Sequence, residues 1–250
     1  VADIQQFLDS RVVDCRSTDP AIDCLKSIKT EIPDVPASTL IEVGPCSAIP
    51  ANPAASAAEV IYAVAVACGI NPKVLITKLQ KEQGLVTSTK PTSYMYRAAM
   101  GFGCPDSDPG ICGKVYVGLF NQLYRAAKQL RWYGNPEGSF TYWKPGRTVS
   151  MRYNPKSSCG TKSFELKNQA TANLYYYTPY TPNQAALNNM YGSGDSCSAY
   201  GNRNFWRYYH DWFGSPIGGG YLLQAAGTET FLIVNDKKFL VSDSRLLAAL

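Results

Sequence analysis

A short helix with both ends marked is encoded by Asn71-Pro-Lys-Val-Leu-Ile-Thr-Lys-Leu-Gln-Lys-Glu82-Gln-Gly84. Asn71 can cap the N-terminus, and Pro72 suits the first helical position because its missing N–H has no partner there in any case. Gly84 suits the left-handed residue that closes a helix. The sequence therefore predicts a helix over residues 72–83.

Glu82 is the candidate catalytic residue of this helix. Leu75, Leu79 and Glu82 follow one another at helical spacing, so the carboxylate continues an apolar stripe. Apolar neighbours and the helix dipole at the C-terminus both predict a raised pKa for Glu82. A carboxylic acid kept protonated near neutral pH is what glycoside cleavage needs as its general acid. The alternative is a solvated charge at a helix end, which this segment alone does not exclude.

The cysteines predict disulfides in an oxidising compartment. The chain has 8 cysteines, an even number, and no pair has Cys-x-x-Cys spacing. Because His210 is the only histidine, a metal cluster is not expected and four disulfides are. Sequence proximity favours Cys15–Cys24 and Cys104–Cys112, which leaves Cys46–Cys68 and Cys159–Cys197, two pairs that the spacing does not decide.

Elimination of other chemistries leaves carboxylate chemistry. His210 lies in an aromatic helix, where a structural histidine is the expected role, so Ser-His-Asp and Cys-His sites are disfavoured. Zinc amidases and metallopeptidases need more histidine-type ligands than the chain has. There is no Gly-rich phosphate loop and no dinucleotide fingerprint. No cofactor and no metal are implied.

Charge and hydropathy restrict the partners. A net charge of +5 suits an anionic surface such as a bacterial wall but is too small to indicate nucleic acid. The most apolar stretch, residues 54–70, contains Glu59 and is too short for a membrane span. No basic-then-apolar leader opens the chain, so any secretory signal is expected to have been removed. We expect a secreted or cell-surface protein, and its oligomeric state stays open.

The organisation predicted along the chain is mainly α, within an α+β class. Residues 1–50 form a disulfide-held helical segment, residues 51–217 the main helical domain, and residues 218–250 a short β module or the start of a repeat. Helices are expected over residues 4–8, 21–28, 56–69, 72–83, 92–99, 116–133, 168–176, 182–190 and 202–213. A small irregular β hairpin or loop is expected within residues 134–165, and short strands at 221–223, 231–234 and 237–241.

Three segments follow one another in a definite order: Lys81-Glu-Gln-Gly-Leu85, then Gly101-Phe-Gly-Cys104, then the helix from Gly118 to Leu130. This order resembles that of lysozyme-like transglycosylase domains. In those domains a helix ends in the catalytic Glu, a Gly-rich turn follows, and a later helix forms the far wall. Two departures stand here: Gln83 replaces the usual Ser, and Gly-Phe-Gly-Cys replaces the usual Gly-Leu-Met-Gln.

Three further segments, Tyr96–Asp106, Asn168–Tyr180 and Gly194–Phe205, carry a second resemblance. It covers roughly residues 55–215 and is to secreted actinobacterial proteins labelled hypothetical or haemagglutinin-like. The segments after residue 221 resemble a short surface-protein repeat from the same kind of bacteria. Residues 1–50 lie outside this resemblance.

The resemblance to lysozyme-like domains implies a peptidoglycan-cleaving glycosidase, either a lytic transglycosylase or a muramidase. Glu82 would be its acid and base, and Asp106 the candidate second carboxylate, although Asp106 could instead cap its loop. Candidates for the substrate groove are Gln83, Tyr94, Asn121, Tyr177 and Tyr180, each of which also has a structural interpretation. The alternative is a non-catalytic wall-binding or adhesive module on the same scaffold, and chitin or chitosan stays open as substrate.

Overall fold

The structure is a computed structural model that describes residues 1–38, 45–105, 112–215, 221–224, 230–234 and 237–241. Helices dominate it. They are α1 (Ala2–Arg11), α2 (Ala57–Cys68), α3 (Pro72–Gln83), α4 (Ser93–Arg97), α5 (Leu119–Tyr133), α6 (Gln169–Tyr177), α7 (Gln184–Asn188) and α8 (Gly201–Phe213).

The strands form three small antiparallel sheets. They are β1 (Lys29–Ile32) with β2 (Asn52–Ser56), β3 (Thr148–Arg152) with β4 (Thr161–Glu165), and the three-stranded sheet β5 (Tyr221–Gln224), β6 (Thr230–Val234) and β7 (Lys237–Val241). The predicted mainly α class with small β regions is confirmed.

Helix α3 has both predicted ends. The Asn71 side chain accepts a hydrogen bond from the Lys73 backbone N–H, which satisfies one donor of the first turn. Gly84 closes the helix at φ 65°, in the left-handed region, and its N–H donates to Gln80. Leu75 and Leu79 are fully buried, so the apolar stripe faces the core as predicted.

Helix α2 lies at the centre of the core. Ser56 and Glu59 form a reciprocal capping box at its N-terminus, and Gly69 closes it at φ 62°. Its side chains are mostly apolar, and the helix packs against α3 and α5. The large side chains of these three helices that are fully buried are Ile61 on α2, Leu75, Lys78 and Leu79 on α3, and Leu123 on α5.

The N-terminal segment differs from the prediction between residues 21 and 28. A three-residue 3-10 helix, Pro20–Ile22, and a turn over residues 25–27 form there instead. The Asp23 carbonyl accepts from the Tyr96 hydroxyl, and the Ser27 N–H donates to Cys24 rather than to Asp23. The predicted helix is therefore wrong, and the Asp23 carbonyl instead bonds a residue distant in sequence.

The pairing of β1 with β2 was not predicted. No strand was expected within residues 29–56, yet Thr30 pairs with Ala55 across the sheet. Strand β2 contains Pro53, which cannot donate to a ladder and is tolerated here in a two-stranded sheet that has only edges. By contrast, a hairpin or loop was predicted within residues 134–165, and a hairpin forms there. Its strands β3 and β4 pair antiparallel, and burial alternates along Thr148–Arg152.

Four disulfides join all 8 cysteines, so the predicted pairing is confirmed. The bonds are Cys15–Cys24, Cys46–Cys68, Cys104–Cys112 and Cys159–Cys197. Cys46–Cys68 ties the segment before β2 to the end of α2. Cys159–Cys197 ties the β3–β4 hairpin to the segment before α8.

Contacts divide the chain into two units, Val1–Phe205 and Trp206–Leu250. In the second unit β5, β6 and β7 confirm the predicted strands, and the His210 ring stacks on Trp206 at 4.8 Å between centroids. The predicted domain boundaries at residues 50 and 217 stay predictions. The predicted loop at 106–110 and hinge at 218–220, the turn at 235–236 and the helix from 242 lie outside the described residues.

Within the described residues, none of the helices combines the length and apolar character that crossing a membrane requires.

Candidate functional site

Glu82 lies in the last turn of α3, with a side chain that is 18% exposed. Its Oε1 accepts hydrogen bonds from two ammonium groups, Lys78 Nζ at 3.0 Å and Lys81 Nζ at 2.8 Å. Both lysines come from the same helix, one turn and one residue before Glu82. One oxygen of the carboxylate is therefore held by two cations inside the protein.

The predicted rise in the pKa of Glu82 is wrong. Burial does raise the pKa of this carboxyl, but the charges of Lys78 and Lys81 and their hydrogen bonds lower it further than burial raises it. The pKa of Glu82 therefore lies below its ordinary value, and the group is a carboxylate at neutral pH. The apolar stripe indicated the burial correctly, but the two cations outweigh it.

Lys78 is enclosed by the protein, with a side chain that is 1% exposed. Burial lowers its pKa to about 8, although the nearby Glu82 charge opposes this. Its Nζ lies 3.4 Å from the centroid of the Tyr177 ring, a cation–π contact. This lysine was not predicted as a site residue, and its spacing of four residues from Glu82 on one helix face is the signal that could have found it.

Tyr177 is the predicted groove residue that the structure brings to Glu82, Lys78 and Lys81. These four residues are called the Glu82 cluster. Its hydroxyl donates to the Met100 carbonyl at 2.7 Å. Burial raises the pKa of Tyr177, and the Glu82 charge adds to that rise, so the phenol stays protonated and remains a donor. Tyr177 thus joins the C-terminal end of α6 to the segment that precedes Gly101.

Lys81 connects the carboxylate to the turn after α6. Its Nζ donates to Thr178 Oγ1 at 2.9 Å as well as to Glu82. The Asn202 side chain, at the start of α8, donates to the carbonyls of Thr178 and Tyr180, both at 2.8 Å. The structure therefore places the Tyr180 backbone near the cluster, through Thr178 and Lys81.

The second carboxylate oxygen, Oε2, faces Gly101. A Cβ added at Gly101 would lie 3.7 Å from Oε2, and Gly101 itself is exposed with φ 67°. Within the part of the chain that the structure describes, no donor bonds Oε2. The carboxylate thus has one oxygen engaged by lysines and one oxygen available toward an exposed backbone turn.

Gln122 of α5 fixes that turn. Its Oε1 accepts from the N–H groups of Met100 and Phe102, and its Nε2 donates to the carbonyls of Phe102 and Tyr116. The side chain is fully buried. The sequence carried no signal for this role, because a glutamine in an amphipathic helix is common on either face.

The remaining predicted site residues are not brought to Glu82 by hydrogen bonds or ion pairs among the described residues. Asn121 Nδ2 donates to the Val117 carbonyl at 3.0 Å, at the beginning of its own helix. Gln83 ends α3 and Tyr94 lies on α4, both partly buried. Asp106 lies outside the described residues. Their roles in a groove stay predictions.

One group of described side chains has atoms close enough together to hold a metal ion, namely Cys15, Asp23 and Cys24. The two cysteines form a disulfide, so neither supplies a thiolate. This group therefore does not fit a metal site.

Comparison with known proteins gives one family. The family described as LasA, N-terminal domain matches residues 2–224. No curated protein and no solved structure matches the chain. The matched region contains α3, the Gly101 turn, Gln122 and Tyr177.

Proposed function

This chain belongs to the LasA N-terminal domain family, and on that premise we propose that it is a glycosidase that cleaves the glycan strands of bacterial cell walls. The family relates to enzymatic, cell-wall-lytic proteins, and the four disulfides with the family indicate a secreted protein. The bond proposed as the target joins N-acetylmuramic acid to N-acetylglucosamine. The observation that carries the proposal is the Glu82 carboxylate, with Oε2 unpaired among the described residues and facing an exposed turn.

The proposed reaction uses Glu82 twice. Protonated Glu82 gives its proton to the glycosidic oxygen as the C1–O bond breaks, and becomes a carboxylate. The carboxylate then takes the proton of the muramic acid 6-hydroxyl as O6 bonds to C1, which gives an anhydro end and restores the acid. If water replaced the 6-hydroxyl, the product would be a reducing end and the activity that of a muramidase.

Lys78 and Lys81 determine how readily Glu82 gives up and takes back its proton in this reaction. They stabilise the carboxylate that forms when the C1–O bond breaks, and they lower the pKa of Glu82 in the free protein. Only a small fraction of Glu82 is therefore protonated at neutral pH. The proposal consequently requires an activity that increases toward acidic pH.

The test is mass spectrometry of the soluble products after purified protein is incubated with peptidoglycan sacculi at acidic pH. Wild type is expected to release anhydromuropeptides, and Glu82→Gln, which keeps the shape of the side chain, is expected to release none. Circular dichroism checks that both proteins are folded. A Glu82→Gln protein as active as wild type would remove Glu82 from the reaction.

A second candidate is a non-catalytic wall-binding module. The observation that favours it is the pairing of Glu82 Oε1 with two lysines, since a carboxylate held in this way is also a stable structural ion pair. Under this function the protein sediments with sacculi but releases no product at any pH. Glu82→Gln would then leave binding unchanged as long as the protein folds.

A further inference from the structure

A cavity of about 220 Å³ lies between the end of α5 and the beginning of α6. Its wall is partly apolar and partly polar. The wall includes Ile70, Leu130, Arg131, Gln169 and Asn173. The cavity is smaller than the pockets that hold drug-sized ligands, roughly 300–1,000 Å³, so its ligand is expected to be small.

Arg131 supplies a positive charge to this cavity. Within the described part of the chain it forms no ion pair, and its side chain is exposed. A guanidinium group presents two parallel N–H donors that match the two oxygens of a carboxylate. The charge and shape of this side chain therefore favour a ligand that carries a carboxylate.

Two amide side chains on α6 supply a fixed acceptor. Gln169 Nε2 donates to Asn173 Oδ1 at 2.7 Å, and Asn173 Nδ2 donates to the Leu130 carbonyl at 2.9 Å. This chain of hydrogen bonds leaves Gln169 Oε1 without a protein donor among the described residues. A ligand that carries an N–H group near its carboxylate would satisfy that oxygen.

We propose that this cavity binds the C-terminus of a short peptide with small aliphatic side chains. The terminal carboxylate bonds Arg131, and the N–H of the last peptide bond donates to Gln169 Oε1. The aliphatic side chains contact Ile70 and Leu130. A dipeptide terminus of this kind combines a carboxylate, an amide N–H and small apolar groups, the three features that the wall of the cavity matches.

The cavity and the Glu82 cluster share helix α6, the cavity at its beginning through Gln169 and the cluster at its end through Tyr177. Gln169 lies near Tyr133 and Asn173 near Leu130, so α5 and α6 run in opposite directions. Gln169 and Tyr177 lie at opposite ends of α6, about 12 Å apart at 1.5 Å per residue. A peptide branch of a wall glycan could span that distance, and this extension of the inference rests on the proposed function.

The test is isothermal titration calorimetry with N-acetyl-D-alanyl-D-alanine and with the same dipeptide as its C-terminal amide. Wild type is expected to bind the acid at least about tenfold more tightly than the amide, since a charge-assisted hydrogen bond is lost in the amide. Arg131→Met is expected to lose about the same factor for the acid. Arg125→Met, which changes an exposed arginine of the same helix outside the cavity, is the matched control and is expected to bind as wild type does.

Equal binding of the acid by wild type and Arg131→Met, or no binding by wild type, would overturn the inference. The same titration on Glu82→Gln separates this result from the proposed function, because that variant is expected to keep full dipeptide binding. Dipeptide binding without wall cleavage would support the inference and contradict the glycosidase. Wall cleavage without dipeptide binding would do the reverse.

Discussion

Two lysines on the same helix reverse the effect of burial at Glu82. The sequence indicated a carboxylate on an apolar stripe, and the structure places it there, but Lys78 and Lys81 lie beside it and lower its pKa. Their spacing was visible in the sequence. The sequence did not show where their ammonium groups lie. A lysine on a helix usually extends its ammonium group into water, whereas the Lys78 ammonium group lies against the face of the Tyr177 ring.

Removal of Lys81 should raise the pKa of Glu82. In Lys81→Met the carboxylate keeps Lys78 but loses the cation at 2.8 Å. Burial, which raises the pKa of Glu82, is then opposed by one lysine instead of two. Carbon-13 NMR titration of the Glu82 carboxyl measures the change. Lys73→Met, an exposed lysine of the same helix, is the control and should leave the titration where it is in wild type. An unchanged Glu82 titration in Lys81→Met would show that Lys81 does not lower the pKa of Glu82.

Two glycines with the same backbone conformation allow a test of the exposed oxygen. Gly84 and Gly101 have φ 65° and 67°, so alanine at either position should cost about 1 kcal/mol of stability. Only the Gly101→Ala methyl would lie beside Glu82 Oε2, whereas nothing lies within 4 Å of a Cβ at Gly84.

Gly101→Ala should therefore lose wall cleavage by on the order of tenfold or more, and Gly84→Ala should retain it. Product release per folded protein, with the folded amount taken from circular dichroism, measures both. Equal activity in the two variants would mean that the Gly101 side of the carboxylate is not where the substrate reacts.

Among the elements, helices with marked ends were predicted closely and short elements less well. The caps Asn71 and Gly84 gave α3 its bounds, while the predicted helix at 182–190 is shorter in the structure, as α7 (Gln184–Asn188). The helix at 21–28 is wrong, and β2 was not predicted, because both depend on contacts with segments that are distant in the sequence. Local periodicity does not contain those contacts.

The α5 helix should depend on Gln122 more than on any exposed residue of that helix. Gln122→Leu leaves four backbone groups of Met100, Phe102 and Tyr116 without their partners, so unfolding free energy should fall by about 3 kcal/mol or more. Chemical denaturation measures the loss. Arg125→Leu, on the exposed face of α5, is expected to change stability by less than about 0.5 kcal/mol. A Gln122→Leu loss no larger than that of the control would contradict the role of Gln122 in holding the turn.

For the molecule as a whole, the cysteines were the most informative feature. Their number, their spacing and the single histidine predicted four disulfides. Proximity in sequence favoured two of the observed pairs, Cys15–Cys24 and Cys104–Cys112, whereas the other two were only the cysteines that remained. The candidate site was predicted in part, through Glu82 and Tyr177. Gln122 and Thr178 were not foreseen, because their roles arise where α5, the turn after α6 and α3 meet in space.

Loss of the long-range disulfide should destabilise the protein more than loss of the short-range one. Cys159–Cys197 spans 38 residues and Cys104–Cys112 spans 8, for which loop-closure entropy gives about 4 and about 2.5 kcal/mol. The double variants Cys159→Ser/Cys197→Ser and Cys104→Ser/Cys112→Ser, compared by thermal and chemical unfolding, test the order. The reverse order would indicate that native-state contacts, and not the unfolded chain, dominate these bonds.

The rate of product release from sacculi as a function of pH tests the central claim most directly. A Glu82 that acts as an acid, with a pKa below its ordinary value of 4.5, predicts a rate that rises about tenfold for each pH unit as pH falls from 7 toward that pKa. Glu82→Gln should show no such rise, and circular dichroism at each pH confirms that the protein stays folded. A rate that is highest at neutral pH, or no product at any pH while the protein still sediments with sacculi, would contradict the account.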